Sequence, residues 1–320
     1  MKVFVAGATG VLGRALVPQL VTRGHEVIGM TRSAGKQDLV RSLGARPTVA
    51  DALDPDAVAA AVASAEPEVI VHELTALGGK MSAKDMRHPE SSPLALTTNR
   101  LRTEATDHLL AAGRAVGARR FVAQSFAAFR YDRSGGPILS EDDPLDPDPP
   151  APLRPGVTAL LHLERAVTSI EWGEGLVLRY GGFYGPGTST SQAPDSPMAM
   201  PIRKRWFPII GGGTGVWSHI HIDDAASATA AAVERGDSGI YNVADDEPAP
   251  VREWLPVLAS ALGAKPPRRI PRWLGRLITG EGATLMMTEA HGSSNEKAKR
   301  ELGWTLQYPS WRQGFPQGLG

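Results

Sequence analysis

Apolar positions follow two rhythms along the first half of the chain. Short apolar runs at 2–6, 27–30, 47–49, 69–72, 121–123 and 176–178 alternate with longer stretches at 55–65, 94–116 and 157–170, where apolar residues recur at helical spacing. Unbroken apolar runs suit strands covered on both faces, so the alternation predicts a parallel sheet with helices on either side. A further helix is predicted over 11–21, bent where Pro18 removes a hydrogen bond.

The second half is less regular. Residues 142–155 form an acidic, proline-rich stretch that supports neither a helix interior nor a central strand, and it is expected as a surface loop, a lid or a tether beside the carboxyl edge of the sheet. Glycines and prolines break up 181–201 and 211–215 before a helix at 224–235 and a strand at 240–243. From Val251 onward the pattern reads as a small, mostly helical lobe. The expected organisation is a dinucleotide-binding domain over 1–180, rejoined by 216–245, and a smaller substrate lobe over 181–320.

Glycines at 7, 10 and 13 sit between the first strand and the first helix. Such a turn brings bare backbone close to a ligand, and the amides opening the helix can hold a pyrophosphate. Composition narrows the rest. Lys and Arg total 34 against 34 Asp and Glu, so no global field draws the chain onto nucleic acid or an anionic membrane, and small-molecule partners are expected. Cys is 0, which removes disulfides, thiolate metal sites and cysteine nucleophiles and fits a cytoplasmic setting. No window has the apolar length of a membrane span, and the first apolar run is too short for a signal peptide.

Read together, the motifs resemble those of the extended or atypical short-chain dehydrogenase/reductases, of the NAD-dependent epimerase/dehydratase type. The resemblance rests on the glycine motif at 7–13, the segment 69–76, Asn99, the fifth strand to Ser125, the segment 178–186, and His219 with the residues up to Ala226. It implies a Rossmann-like, doubly wound parallel sheet. It also implies cofactor contacts from Gly7, Thr9, Gly10, Val11, Leu12 and Gly13 to the pyrophosphate and from Asp51 and Ala52 to the adenine. Leu74, Thr75, Ala76, Asn99, Gln124 and Tyr180 are expected to line the rest of the cofactor site. A homodimer is one assembly such a chain allows.

Cofactor choice follows from the end of the second strand. NAD enzymes of this fold place a carboxylate there for the ribose 2′-hydroxyl, whereas this chain has Thr31, Arg32 and Ser33. A guanidinium fork with two hydroxyls suits a 2′-phosphate, so NADP is expected, with NAD as the alternative.

Catalysis departs from the family pattern. The Tyr-x-x-x-Lys pair that transfers the proton in such enzymes falls, when anchored on Glu164, at Gly156 and Leu160. No register shift restores it. Candidate substitutes are Ser125, which matches a serine that bonds the reacting oxygen, and Tyr131 and Tyr184 on nearby loops; Thr158 and His162 carry only the spacing. His219, His221, Asp223 and Asp224 read better as a strand entering an Asp-capped helix than as metal ligands, and no metal is expected. His72 and Glu73 line the cofactor or pack, while Arg203, Lys204, Arg205, Arg268, Arg269 and Arg272 are candidates for a diphosphate clamp. The expected activity is hydride transfer to or from a small carbonyl or alcohol with a non-standard proton site. The alternatives are a nucleotide-sugar epimerase or dehydratase and a non-catalytic NADP-binding sensor or scaffold.

Overall fold

A computed structural model describes residues 1–78, 92–127, 136–143, 146 and 148–320. Its first half contains β1 (Lys2–Ala6), α1 (Val11–Thr22), β2 (Glu26–Thr31), α2 (Gln37–Ser42), β3 (Arg46–Val49), α3 (Pro55–Ala65) and β4 (Val69–His72). Then come α4 (Pro93–Arg102), α5 (Glu104–Ala115), β5 (Arg120–Phe126), β6 (Ile138–Leu139), α6 (Arg154–Thr168) and β7 (Glu174–Tyr180). Seven strands form one sheet in the order β12-β7-β5-β4-β1-β2-β3, where β12 is Gly239–Val243. Every pairing in it is parallel. This is a Rossmann-like doubly wound sheet.

The apolar runs became strands because both faces are covered. Val3, Phe4, Val5 and Ala6 are all buried, and they divide between two core layers, one shared with α1 and the other with α3 and α5. Leu16, Val17 and Leu20 of α1 enter the first layer, each contributing about 1.5–3 kcal/mol on burial. Against α1 packs α8 (Ile222–Glu234), a helix rich in buried alanines whose small side chains let the two backbones approach.

Two expectations change at this level. The single helix over 94–116 is two helices, because Thr103 adopts φ −104° and ψ −79° and its hydroxyl bonds the carbonyl of Asn99 at 3.0 Å, ending α4 before α5 starts. The proline-rich stretch donates its last residues to α6, which begins at Arg154 with Pro155 in its first turn, a position that needs no proline N–H. The helix predicted over 11–21 is found as α1, which continues through Pro18 to Thr22.

Between and after these elements lie β8 (Gly182–Tyr184), α7 (Ala199–Arg203), β9 (Ile209–Ile210), β10 (Val216–Trp217), β11 (His219–His221), β13 (Ala249–Pro250) and α9 (Val251–Ala261). The chain closes with β14 (Arg269–Ile270), α10 (Arg272–Glu289), β15 (Gly292–Ser293), α11 (Glu296–Glu301) and α12 (Trp311–Gly318). A third core, built on Trp254, Trp311, Phe315, Ile209 and Ile210, holds this region together. The C-terminal segment is tied to α8 through Asp224, whose buried carboxylate accepts from the backbone N–H groups of Gln307 (2.7 Å) and Tyr308 (2.8 Å).

Candidate active site

The glycine turn is built from its own contacts. Gly7 has φ +102°, and a Cβ there would lie 2.9 Å from the carbonyl oxygen of Glu73. A Cβ at Gly13 would come within 2.3 Å of the Gly7 carbonyl oxygen. Both glycines are required by the turn itself. Gly10 differs: it is exposed, a Cβ there would meet only the Gly7 oxygen at 3.1 Å, and it caps α1 without any side-chain bond to the first amides. The open face of the turn therefore presents uncapped N–H groups at the positive end of a 12-residue helix, which fits a diphosphate. Thr9 and Val11 are half-buried at this face, whereas the side chain of Leu12 is buried in the core, so Leu12 offers only its backbone.

At the end of β2, Thr31 is buried and its hydroxyl oxygen accepts from the Ser33 N–H at 3.3 Å. Arg32 and Ser33 are exposed, and Arg32 makes no hydrogen bond or ion pair with any described residue. Asp51 is exposed and accepts from the Leu53 N–H at 3.0 Å, while Ala52 is buried. Leu74, Thr75 and Ala76 form a half-buried wall after β4, fixed by the Ala76 N–H donating to the Thr98 hydroxyl at 3.1 Å. Asn99 and Gln124 are half-buried nearby.

Of the two readings open for His72, lining the cofactor or packing, the structure shows packing, while Tyr180, expected around the cofactor, turns inward. His72 accepts from the Leu74 N–H at Nδ1 (3.3 Å), which leaves Nε2 to donate to the Leu101 carbonyl (3.2 Å); burial lowers its pKa to about 4, so it is a neutral packing residue. Tyr180 is fully buried, with its hydroxyl 2.6 Å from that of Thr229 and 3.3 Å from Glu73 Oε1. Its phenol lies beneath the site and lines no open face.

The catalytic candidates separate sharply. Gly156, Leu160 and Glu164 follow each other at four-residue spacing along α6. Gly156 has no atom within 4 Å of where a Cβ would stand, and Leu160 is buried. Ser125 donates its hydroxyl hydrogen to Glu164 Oε1 at 2.6 Å, and Arg179 grips the same carboxylate through Nε (3.0 Å) and Nη2 (2.8 Å). The hydrogen expected for a reacting oxygen is thus committed to a buried ion pair. Tyr184 is also corrected as a proton donor: it is fully buried between His221 and Phe315, its hydroxyl lies against Gly314, and burial pushes its pKa well up. Tyr131 lies outside the described residues. Thr158 and His162 are on the exposed face of α6, where His162 bonds Asp107 at 2.8 Å.

Nearby polar groups have other partners. His221, not an aspartate, caps α8 by accepting from the Asp223 N–H at 3.2 Å. His219 is buried among Trp254 and Phe315, and burial lowers its pKa to about 3. Among the described residues no group of three or more His, Asp or Glu side chains is placed to hold a metal. Arg203 and Arg205 bond backbone carbonyls of their own region, and Arg272 pairs with Glu289. The buried Ser125–Glu164–Arg179 cluster was missed from sequence, although Glu164 carried a signal: it interrupts the apolar face that Val157, Leu160, Leu163 and Val167 present.

Residues 3–244 match the family described as the NAD dependent epimerase/dehydratase family. The chain belongs to this family. A Streptomyces sp protein named 3-diazoavenalumate denitrifying reductase is 46% identical over 316 residues, covering 98% of this chain and 99% of the relative. Among solved structures, a Thermus thermophilus UDP-glucose 4-epimerase in complex with NAD superposes with a TM-score of 0.70 at 24% identity, over 100% of this chain and 98% of that one. A human epimerase family protein with NADPH gives a TM-score of 0.72 at 20% identity, over 100% and 99%. This family member is an enzyme of the nicotinamide-dependent oxidoreductase or epimerase type. No helix among the described residues is long and apolar enough to cross a membrane.

Proposed function

We propose that this protein is an NADPH-dependent reductase that removes the diazo group of a small aromatic carboxylate as N2. The observation that carries this reading is the apolar face at Gly156 and Leu160, together with Ser125 giving its hydrogen to Glu164. Reducing a carbonyl needs a proton as well as a hydride, and epimerising a sugar needs a base to take a hydroxyl proton. Gly156 and Leu160 can do neither, and Ser125 is committed to Glu164. Replacing a diazonium group by hydrogen needs neither: hydride forms the new C–H bond, the C–N bond breaks with its pair retained by nitrogen, and the two charges cancel as N2 leaves. The 46% identity to a denitrifying reductase over 98% of the chain supports the same reaction class.

The chain's own residues have defined tasks in this reading. Gly10 and the amides opening α1 hold the diphosphate, Arg32 with Thr31 and Ser33 binds the 2′-phosphate, and the wall at Leu74, Thr75 and Ala76 positions the nicotinamide half. When bound, the cofactor supplies the hydride. The lobe built on α9, α10 and α12 covers the substrate. The test uses an arenediazonium carboxylate with NADPH deuterated at C4 on each face in turn. We expect one deuterium on the arene carbon from one of the two, N2 released one-for-one with NADPH oxidised, and no carbon-bound label when the solvent alone is deuterated. Solvent-derived label on the carbon, or cofactor binding without NADPH oxidation across carbonyl and diazo substrates, overturns this reading; the second result favours a sensor.

A further inference from the structure

Glu73 is a buried carboxyl with no cation beside it among the described residues. It follows β4 directly, its N–H donates to the Ala6 carbonyl at 2.8 Å, and its own carbonyl packs under Gly7, where a Cβ would lie only 2.9 Å away. Its side chain roots under the first glycine of the cofactor turn. The carboxyl then points inward; the residue is only 6% exposed, and Oε2 is closed off from solvent. Among the described residues Oε2 has no hydrogen-bond partner, and Oε1 stands 3.3 Å from the Tyr180 hydroxyl.

The protons in this chain of groups can be assigned. Thr229 donates its hydroxyl hydrogen to the Ala225 carbonyl at 2.7 Å, so the 2.6 Å contact between Tyr180 and Thr229 must use the tyrosine hydrogen. The phenol oxygen is then left as an acceptor facing Glu73, which matches a carboxylic acid and repels a carboxylate. Burial raises the pKa of Glu73 well above its ordinary value, in agreement. Tyr180 is the titratable group facing it from β7, and burial keeps that phenol protonated as well. The facing group from α8 is Thr229, and His72 on β4 points to the opposite layer, toward α5.

We propose that Glu73 is an unassigned member of the dinucleotide site, a neutral acid under the glycine turn whose proton is required for tight cofactor binding. The proposal rests on the dinucleotide site and is independent of the diazo reading. If the neutral acid is the form that binds a diphosphate overhead, binding the diphosphate must in turn favour the protonated acid, since linkage is reciprocal. Ionisation would place a further negative charge beneath the already anionic phosphates with little water to screen it.

The experiment measures NADPH affinity by titration calorimetry from about pH 7 to about pH 9.5, a span that brackets buried glutamates and lies above the 2′-phosphate's own titration. In the native protein affinity is expected to weaken about tenfold across the span. Glu73→Gln keeps a donor toward Tyr180 and an acceptor at the Oε2 position, and should bind as tightly as the native protein does at the lower pH, with no such slope. Thermal stability in the same buffers separates a structural role, which would tilt the native melting profile while leaving its affinity flat. A flat native affinity, or matching slopes in native and Glu73→Gln, overturns the proposal. If Glu73→Gln does not fold, Glu73→Met carries the same comparison of slopes.

Discussion

Ser125 donates to Glu164 across 2.6 Å, and this one bond redefines the catalytic edge. Ser125 lies opposite Arg179 in the register of β5 and β7, so both strands deliver their polar side chains to the same carboxylate on α6. All three residues are buried, and the cluster clamps α6 onto the sheet. Its effect on the reaction is by subtraction, since the serine hydrogen is no longer offered to substrate.

The expected behaviour of Ser125→Ala follows from this. Removing a buried bond to a charged acceptor should destabilise the fold by about 1.5–3 kcal/mol, and Glu164→Ala should cost about 3–5 kcal/mol because it removes the bidentate carboxylate partner of the buried Arg179 charge. Turnover per folded molecule should change little in Ser125→Ala. Denaturant midpoints and active-site-normalised kcat are the measurements, and a tenfold fall in kcat at full folding would return Ser125 to the reaction.

Gly10→Val should remove dinucleotide binding and leave the fold intact. The new side chain has room to project from the open face, where its Cβ meets only the Gly7 oxygen at 3.1 Å, but it fills the approach of the pyrophosphate. Gly13→Val is the contrasting case: its Cβ would strike the Gly7 oxygen at 2.3 Å, so the turn itself must break. Circular dichroism and a cofactor titration on both variants distinguish the two roles.

Arg32 is exposed and without a described partner, so its loss should be invisible to stability. Arg32→Ala is expected to weaken NADPH by about 1.5–3 kcal/mol and leave NADH unchanged, since only the former carries the 2′-phosphate. Equal affinities of the native protein for the two cofactors would contradict the NADP assignment.

Acid should unfold this protein through its buried histidines. His72 and His219 stay neutral when folded, with pKa values lowered to about 4 and about 3, whereas an unfolded histidine takes up its proton near about 6.5. The unfolded chain therefore binds more protons in this window, and stability falls as pH drops from about 6.5 toward the folded values, by about 1.4 kcal/mol per unit for each histidine. His219→Phe, which suits the ring contacts with Trp254 and Phe315, should shallow the slope of unfolding free energy against pH. An unchanged slope would mean that His219 is protonated in the folded state.

The sheet and the cofactor turn were legible because they depend on local periodicity and on backbone freedom, both written in consecutive residues. Apolar runs such as 69–72 make strands wherever two faces must be covered, and the glycines at 7, 10 and 13 can mean little else between a strand and a helix. The absence of a Tyr-Lys pair at Gly156 and Leu160 was legible for the same reason. The fate of hydroxyls and carboxyls was not, because it depends on partners brought together across the sheet. Only the register of β5 against β7 places Ser125 beside Arg179 and under Glu164. Only the packing of α8 against the sheet puts Thr229 next to Tyr180, so that a tyrosine expected at the cofactor turns inward to face Glu73. Tyr184 shows the same division: its loop position suggested a donor, and the close approach of Gly314 in α12, distant in sequence, buried it.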